Sequence, residues 1–235
     1  MKEFKRITLL CGHYGSGKTN VAVNMALSLR KQRDRVAIAD LDIVNPYFRT
    51  KDSISDFQDN GIRLICSEFA NSNVDIPALP QDMYAITDDK ELSVIIDVGG
   101  DDRGALALGR LAPKIIEEND YEMLMVINCY RPLTQTPADA LEVMREIEAA
   151  CGLQFTDIVN NANLGNETTA EHVLGAVPYM EKLSALSGLP IFAHTAETTV
   201  AKGLEGKLSP VLSLQLQEKY FDLPSQKPTP RPLWG

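Results

Sequence analysis

The most constraining feature of this sequence is a glycine-rich loop near its start, with the spacing G-x-x-x-x-G-K-[ST]. The loop comprises Gly12, His13, Tyr14, Gly15, Ser16, Gly17, Lys18 and Thr19, with Asn20 directly after it. Glycines let the backbone curl so that successive N–H groups point inward at phosphate oxygens. Lys18 is placed to reach the β- and γ-phosphates, and the Thr19 hydroxyl is placed to bind Mg²⁺. The spacing therefore predicts a nucleoside triphosphate site with a magnesium ion.

The sequence on either side of the loop supports the same interpretation. An apolar run at residues 7–11 precedes the loop, as expected of a strand, and a helical pattern follows it. A helix that begins at the loop adds the positive end of its dipole beneath the phosphates. A glycine-rich turn without a ligand would explain the glycines but not the flanking pattern. We therefore expect residues 12–20 to contact the nucleotide.

The rest of the chain alternates short apolar runs with helical patterns. The predicted strands are 6–11, 35–40, 62–66, 92–97, 123–129, 156–160 and 189–193. The predicted helices are 20–32, 105–119, 137–151, 169–186 and 210–221. Continuous apolar runs are typical of strands that are covered on both faces. The alternation predicts an α/β fold, a three-layer P-loop NTPase with a mostly parallel sheet flanked by helices.

Two regions of unequal size are expected. Residues 1–222 form one nucleotide-binding domain, and residues 223–235 form a proline-rich tail that favours an extended conformation. The single Trp of the chain, Trp234, lies in this tail beside Leu233. Leaving such an apolar pair in water is unfavourable. Two interpretations therefore stay open: a disordered tail, or a tail that docks onto this subunit or a neighbouring one.

The charge and composition of the chain limit the classes of partner that we expect. The formal net charge is −9, and the basic cluster at 31–35 fits a helix end, so we expect no nucleic acid partner. We expect no membrane partner, because no apolar run approaches the ~18 residues of a membrane span and the N-terminus does not resemble a secretory signal. The four cysteines are spread out and favour reduced thiols over a metal site. These features predict a cytoplasmic protein.

Carboxylate side chains lie at the ends of two other predicted strands. Asp40 and Asp42 follow the second predicted strand, one residue apart, at the edge of the sheet where α/β proteins bind ligands. Asp97 ends the apolar run 92–97 and has the spacing of a carboxylate that holds Mg²⁺ directly or through water. Gly100 follows at the D-x-x-G spacing, where a backbone N–H meets the γ-phosphate and moves when that phosphate is lost. Lys18, Asp42 and Asp97 are the predicted catalytic residues.

Three asparagines, Asn160, Asn161 and Asn163, lie at the end of a later predicted strand. Asn160 and Asn161 each offer a donor and an acceptor, which suits the N6/N7 edge of adenine. The alternative is that these amides only stabilise a strand-to-loop turn. The strand end at 190–195 is the candidate for the opposite wall of a base pocket.

Taken in order, these motifs resemble the ParA/MinD/CobQ-type P-loop ATPases across residues 5–200. The resemblance implies that Thr19 and Asp97 serve Mg²⁺ and that Asp42 positions the attacking water. Asp42 is also a predicted Mg²⁺ ligand, because a carboxylate at this strand end could order the water shell of the ion. It implies that an Asn at position 160 or 161 reads adenine. A guanine-specific Asn/Thr-Lys-x-Asp box is absent from the sequence, which favours ATP over GTP.

The chain departs from that family in one position. ParA and MinD proteins carry a second, early loop lysine that crosses a dimer interface, whereas this chain has His13 and Tyr14 there. Histidine is largely neutral near pH 7 unless a phosphate raises its pKa. A homodimer that encloses two nucleotides therefore stays an open possibility and not an implication of the resemblance.

Three functions fit these motifs. The first is a Mg-ATP-dependent switch that acts on an unknown partner protein. The second is an ATP-dependent ligase similar to dethiobiotin synthetase, which would activate a small-molecule carboxylate substrate with a pocket near residues 42–49. The third is a slowly hydrolysing accessory or maturation ATPase. Residues 45–49 mix aromatic, rigid and cationic groups and are the best candidate for specificity.

Overall fold

The computed structural model describes residues 3–41, 57–66, 81–100 and 102–216. The strands are β1 (Ile7–Cys11), β2 (Val36–Leu41), β3 (Ile62–Cys66), β4 (Ser93–Val98), β5 (Tyr121–Ile127), β6 (Asp157–Asn160), β7 (Ile191–Glu197) and β8 (Val211–Leu214). The helices are α1 (Lys18–Arg30), α2 (Ala85–Asp88), α3 (Asp102–Gly109), α4 (Ala112–Glu118), α5 (Pro137–Cys151), α6 (Ala170–Gly175), α7 (Val177–Ser187) and α8 (Thr198–Lys202). Single 3₁₀ turns occur at Gln81–Tyr84 and Pro132–Thr134.

The strands form one sheet in the order β3-β2-β4-β1-β5-β6-β7-β8, and neighbouring strands pair in parallel. This arrangement confirms the predicted α/β fold with a parallel sheet. Side chains of β1 alternate between two apolar clusters, with Ile7, Leu9 and Cys11 in one and Leu10 in the other. The second cluster contains the buried face of α1, and the first contains residues of α3, α4, α5 and α7. Helices therefore cover both faces of the sheet.

The strand order places β1 between β4 and β5. The chain leaves β1 toward β2 and β3, returns to β4, and then crosses β1 to reach β5. Parallel α/β sheets bind ligands outside the carboxyl ends of the strands at such a reversal. The loop after β1 consequently lies between the loops that follow β4 and β5.

Two predicted helices are each divided in two. The stretch 105–119 contains the later part of α3 and all of α4, and the stretch 169–186 contains α6 and all but the last residue of α7. In both cases a proline, Pro113 or Pro178, lies in the first turn of the second helix. Proline lacks a backbone N–H and clashes with the preceding turn, so it is favoured at a helix start and ends the helix before it.

The prediction of a helix at 210–221 was wrong for the part that the structure describes, because residues 211–214 form strand β8. Leu212 and Leu214 are buried, whereas Ser213 between them is exposed. This alternation has the period of a strand and not of a helix. The tail at 223–235, including Trp234, lies outside the described residues.

The short elements α2, α8 and the 3₁₀ turn Gln81–Tyr84 have no counterpart among the sequence predictions. Each contains five residues or fewer, too short for a periodic apolar pattern to show. None of the helices within the described ranges is both long and apolar enough to cross a membrane.

Candidate functional site

The loop after β1 has the backbone that its glycines predict. Gly12, Gly15 and Gly17 adopt φ angles of 149°, 78° and 84°, a region that other residues rarely enter. At Gly17 a Cβ atom would lie 2.3 Å from Nδ2 of Asn161. Glycine is therefore required there by the backbone conformation and by the close approach of a neighbouring side chain.

Lys18 begins α1 and is buried, with 7% of its surface exposed. Its Nζ donates hydrogen bonds to the carbonyl oxygens of Gly12, at 2.9 Å, and His13, at 3.3 Å. The cation is thus curled back along its own loop and partly desolvated. A lysine held this way is positioned to interact with an anion enclosed by the loop.

Thr19 and Asp97 meet at the base of the loop. Thr19 Oγ1 donates a hydrogen bond to Oδ2 of Asp97 at 2.6 Å. Asp97 is opposite Asp40 in the β2–β4 register, and both carboxylates are buried. The start of α1 and strands β2 and β4 therefore bring a hydroxyl and two carboxylates to one edge of the sheet.

These oxygen atoms fit a magnesium ion. Mg²⁺ prefers hard oxygen ligands and is commonly held by one or two protein groups together with phosphate and water. Within the described ranges no cluster of three or more His, Cys, Asp or Glu side chains could hold a metal by itself. A site made of Thr19 and Asp97 is of the kind that needs a phosphate to complete it. Asp42, the other predicted ligand and catalytic residue, lies outside the described residues.

The loop after β4 packs directly against the apex of the glycine-rich loop. A Cβ atom on Gly100 would lie 2.7 Å from the backbone nitrogen of Tyr14. The Tyr14 side chain is 66% exposed, and Nδ1 of His13 lies 3.1 Å from the Tyr14 carbonyl oxygen. The predicted D-x-x-G segment and the glycine-rich loop are consequently in contact.

Asn161 connects the loop to two strands on the other side of β5. Its Nδ2 donates to the carbonyl oxygen of Ser16 at 2.6 Å, and its Oδ1 accepts from Oγ1 of Thr195 at 2.5 Å. The side chain is 4% exposed. Asn161 therefore holds the glycine-rich loop in place from the end of β6.

Asn160 has a different environment from Asn161. Its Oδ1 accepts from the backbone nitrogen of Ala162 at 3.1 Å, and its Nδ2 lies 3.0 Å from Nδ1 of His194. Since the amide Nδ2 can only donate, Nδ1 of His194 must accept, which requires a neutral imidazole with its proton on Nε2. Burial lowers the pKa of His194, with Glu181 opposing the shift, and so favours the same neutral form.

A cleft of about 320 Å³ opens beside the loop. Asn20 of α1 and Asn161 and Asn163 of the segment after β6 line one part of it, and Thr195 and Glu197 of β7 line another. Of the strand end at 190–195, Thr195 lines the cleft, and its role as a wall of a base pocket stays a prediction. Asn160 is not among the lining residues. Small-molecule pockets typically have volumes of about 300–1,000 Å³ and a few placed polar groups, so this cleft is large enough for a small ligand.

Two buried polar atoms at this site have no hydrogen-bond partner among the described residues: Oγ of Ser16 and Oδ1 of Asn20. Buried polar groups are nearly always hydrogen-bonded, and an exception calls for an explanation such as an absent ligand or water. Both residues belong to the predicted nucleotide-contacting stretch. The pattern fits a group bound in the loop and cleft.

Arg131 and Glu197 were missed by sequence reasoning, whereas Thr195 and Asn163 lie in predicted segments but had no assigned contact. Thr195 and Asn163 bond to Asn161, and Arg131 bonds to the loop apex by donating from Nε to the Gly15 carbonyl oxygen at 3.0 Å. Glu197 accepts from the backbone nitrogen of Thr199 at 2.8 Å and caps α8 at the rim of the cleft. Their position could have identified them, because all of these residues lie in or beyond the carboxyl ends of β5, β6 and β7, where such sheets bind ligands.

Comparison with solved structures identifies a P-loop NTPase fold. The chain is similar to the cell division protein FtsY from Thermotoga maritima, with 18% identity, a TM-score of 0.53, and coverage of 81% of this chain and 60% of that one. It also aligns with the signal recognition particle receptor FtsY from Elizabethkingia anophelis, with 16% identity, a TM-score of 0.46, and coverage of 81% and 58%. FlhF complexed with GMPPNP and Mg²⁺ aligns with 17% identity, a TM-score of 0.45, and coverage of 81% and 66%.

The chain spans about 60% of the length of the first of these structures. Searches with protein-family models and against curated proteins found no match. The structural likeness therefore establishes the fold, and the chemistry has to be argued from the site.

Proposed function

We propose that this protein binds Mg-ATP through residues 12–20 and acts as a nucleotide-dependent switch on a partner protein, as a P-loop ATPase of ParA/MinD/CobQ type. The observation that carries the proposal is the hydrogen bond of Thr19 Oγ1 to Asp97 Oδ2 at 2.6 Å, beside a buried Lys18. A hydroxyl, a carboxylate and an ammonium group lie where the glycine-rich loop meets α1. Phosphate and a divalent cation require this combination of groups.

Each residue has a proposed task. Lys18 and the loop N–H groups bind the phosphates, and Thr19 and Asp97 hold Mg²⁺. When bound, the ion neutralises charge on the transferred phosphoryl group. Asp42 is proposed to orient the attacking water, in line with the family resemblance. Gly100 is proposed to contact the terminal phosphate through its backbone N–H.

The base is proposed to occupy the cleft beside Asn161. Of the two predicted amides, Asn161 lines this cleft and Asn160 does not. Asn161 already bonds Ser16 and Thr195, but its amide has a second N–H and its oxygen a second lone pair for a base. Asn163 adds a second amide at the rim. The segment 160–163 carries no lysine and no carboxylate of a guanine-specific box. We therefore propose adenine as the base, read by Asn161 and Asn163.

The contact between the two loops supports a switch. Because Gly100 packs on Tyr14, a terminal phosphate that orders the loop apex also acts on the segment after β4. Helix α3 begins at Asp102, directly beyond that segment. A gain or loss of the phosphate can thus be transmitted to α3, whose Leu106 is 61% exposed and available to a partner.

Turnover and mass measurements distinguish the switch from the ligase. The protein would be incubated with Mg-ATP, with and without a mixture of small mono- and dicarboxylic acids, and its mass would be measured with ATP and ADP. Steady basal hydrolysis and an ATP-dependent change of assembly support the switch. Hydrolysis only in the presence of a carboxylic acid would contradict it and favour the ligase. Lys18→Ala is the control for contaminating ATPase.

A further inference from the structure

A second cation lies against the glycine-rich loop, on the side opposite to Gly100. Arg131 belongs to the segment that connects β5 to α5, and its Nε donates to the carbonyl oxygen of Gly15 at 3.0 Å. A Cβ atom placed on Gly15 would lie 3.5 to 3.8 Å from Nε, Cζ and Cδ of Arg131. The guanidinium group therefore packs on the loop apex.

The backbone that carries Arg131 is held by its neighbours. The backbone nitrogen of Arg131 donates to the carbonyl oxygen of Asn128 at 3.0 Å, and the Arg131 carbonyl accepts from the backbone nitrogen of Thr134 at 3.1 Å. Oγ1 of Thr134 donates to the same Asn128 carbonyl at 2.8 Å. This tight turn fixes where the arginine side chain starts and keeps it directed at the loop.

The outer part of the guanidinium group remains available. In the part of the chain that the structure describes, Nη1 and Nη2 of Arg131 form no hydrogen bond, and Arg131 forms no salt bridge. Some arginines elsewhere pair with carboxylates, as Arg35 does with Asp89 and Arg63 with Asp82, whereas the exposed Arg145 forms no salt bridge with the described residues. The chain has a net charge of −9, yet Arg131 is exposed and has no acidic partner among the described residues. Its position against the glycine-rich loop points to an anionic ligand.

The loop itself has limited positive charge. Residues 12–19 contain one permanent cation, Lys18, and His13 is the other basic residue. We propose that Arg131 supplies, from the same chain, a second cationic contact to the terminal phosphate of the bound nucleotide. Nε stays on the Gly15 carbonyl while Nη1 and Nη2 form a fork for phosphate oxygens, a geometry that guanidinium provides and ammonium does not. This inference rests on the proposed function.

Calorimetric titration with ADP and with a non-hydrolysable ATP analogue, both with Mg²⁺, tests the proposal on the full chain. Arg131→Ala is expected to weaken analogue binding by about ten-fold or more, the loss typical of a charge-assisted contact. ADP affinity should change by less than about two-fold, because ADP lacks the phosphate concerned. Arg131→Lys should fall between parent and Arg131→Ala, since it keeps the charge and loses the fork. Arg145→Ala, an exposed arginine of α5, is the matched control and should bind both nucleotides like the parent.

Other outcomes overturn the proposal. Equal losses for the analogue and for ADP would mean that Arg131 only braces the loop, and unchanged affinity for both would mean that it has no role. Binding of neither nucleotide by the parent chain would instead refute the proposed function together with this inference. Thermal unfolding without nucleotide checks that each variant is folded, and Arg131→Lys carries the test if the alanine variant is not.

Discussion

Polar side chains that would ordinarily lie in water are buried around one loop of this molecule. Lys18, Asp97 and Asn161 are each less than 10% exposed and all lie at the carboxyl edge of the sheet. Burial of charged and amide groups is unfavourable unless they are paired. Here each is bonded to the loop, to Thr19 or to Thr195, so the pairing offsets the cost of burial and fixes where each group lies.

Asp97→Asn is expected to weaken the dependence of nucleotide binding on Mg²⁺. The amide keeps the shape of the side chain and an acceptor for Thr19, but it loses the negative charge that attracts the ion. We expect the affinity gained on adding Mg²⁺ to fall by about ten-fold, equivalent to about 1.4 kcal/mol. Titrations with Mg²⁺ and with EDTA would measure this, with Asp34→Asn at an exposed position as control. An undiminished Mg²⁺ effect would remove Asp97 from the metal site.

At the scale of elements, the ends of β6 and β7 are coupled by a hydrogen bond that depends on protonation. Asn160 of β6 donates to Nδ1 of His194 on β7, which must be neutral to accept it. The two strands also form the walls of the cleft through Asn161 and Thr195. Protonation of the buried imidazole would therefore disturb the cleft and the sheet together.

The free energy of unfolding is expected to decrease as the pH falls, because His194 is neutral in the folded protein. Burial lowers the pKa of His194 below its ordinary value of 6.5, so the unfolded chain binds the proton more readily than the folded one. The stabilisation is complete above pH 6.5 and decreases as the pH falls toward the lowered pKa of the folded protein. Urea unfolding at several pH values between 8 and 5 would measure the slope of the free energy of unfolding against pH. This slope should be smaller in His194→Gln than in the parent and unchanged in His172→Gln. The same slope in parent and His194→Gln would contradict the assignment.

The sequence predicted those elements whose signals are local. The glycine-rich loop, the apolar run ending at Asp97 and helix α5 depend on spacing within a dozen residues, and all were found where expected. Prolines at the second position of α4 and of α7 divided helices that apolar periodicity alone had joined. Strand β8 was mistaken for a helix although Leu212, Ser213 and Leu214 alternate with a period of two.

Parts of the site could not be predicted because they depend on the order of strands. In the sheet, β5 lies next to β1, followed by β6 and then β7. This spatial order allows Arg131 to reach Gly15 and Thr195 to reach Asn161. Sequence patterns also could not decide which neighbouring amide faces the cleft. Adjacent strand residues point to opposite faces, and only the sheet assigns Asn161 to the ligand side.

At the scale of the whole molecule, one parallel sheet collects groups from five strands around one loop. Strands β2 and β4 supply carboxylates on one side of β1, and β5, β6 and β7 supply a cation, amides and a hydroxyl on the other. We propose that the acidic side meets the metal and that the amide side meets the base. Such a division would give an extended ligand one orientation across the edge of the sheet.

Nucleotide choice follows from this division. A cleft with amides and without a guanine-specific box should accept adenine and leave guanine donors unpaired, at a cost of about 1–3 kcal/mol per group. ATP is therefore expected to bind at least about ten-fold more tightly than GTP. Competition of both nucleotides against a fluorescent ATP analogue would measure the ratio. Equal displacement would remove the adenine assignment and leave the phosphate site untouched.

The central claim is that the loop at residues 12–19 binds a nucleoside triphosphate, and calorimetry of the parent chain beside Lys18→Ala tests it most directly. Lys18 supplies a charge-assisted contact worth about 1.5–3 kcal/mol, and its removal leaves the phosphates undercompensated. We predict saturable binding of Mg-ATP by the parent and by Lys182→Ala, an exposed control on α7, and no detectable binding by Lys18→Ala. Binding of Mg-ATP by Lys18→Ala with the affinity of the parent would contradict the account.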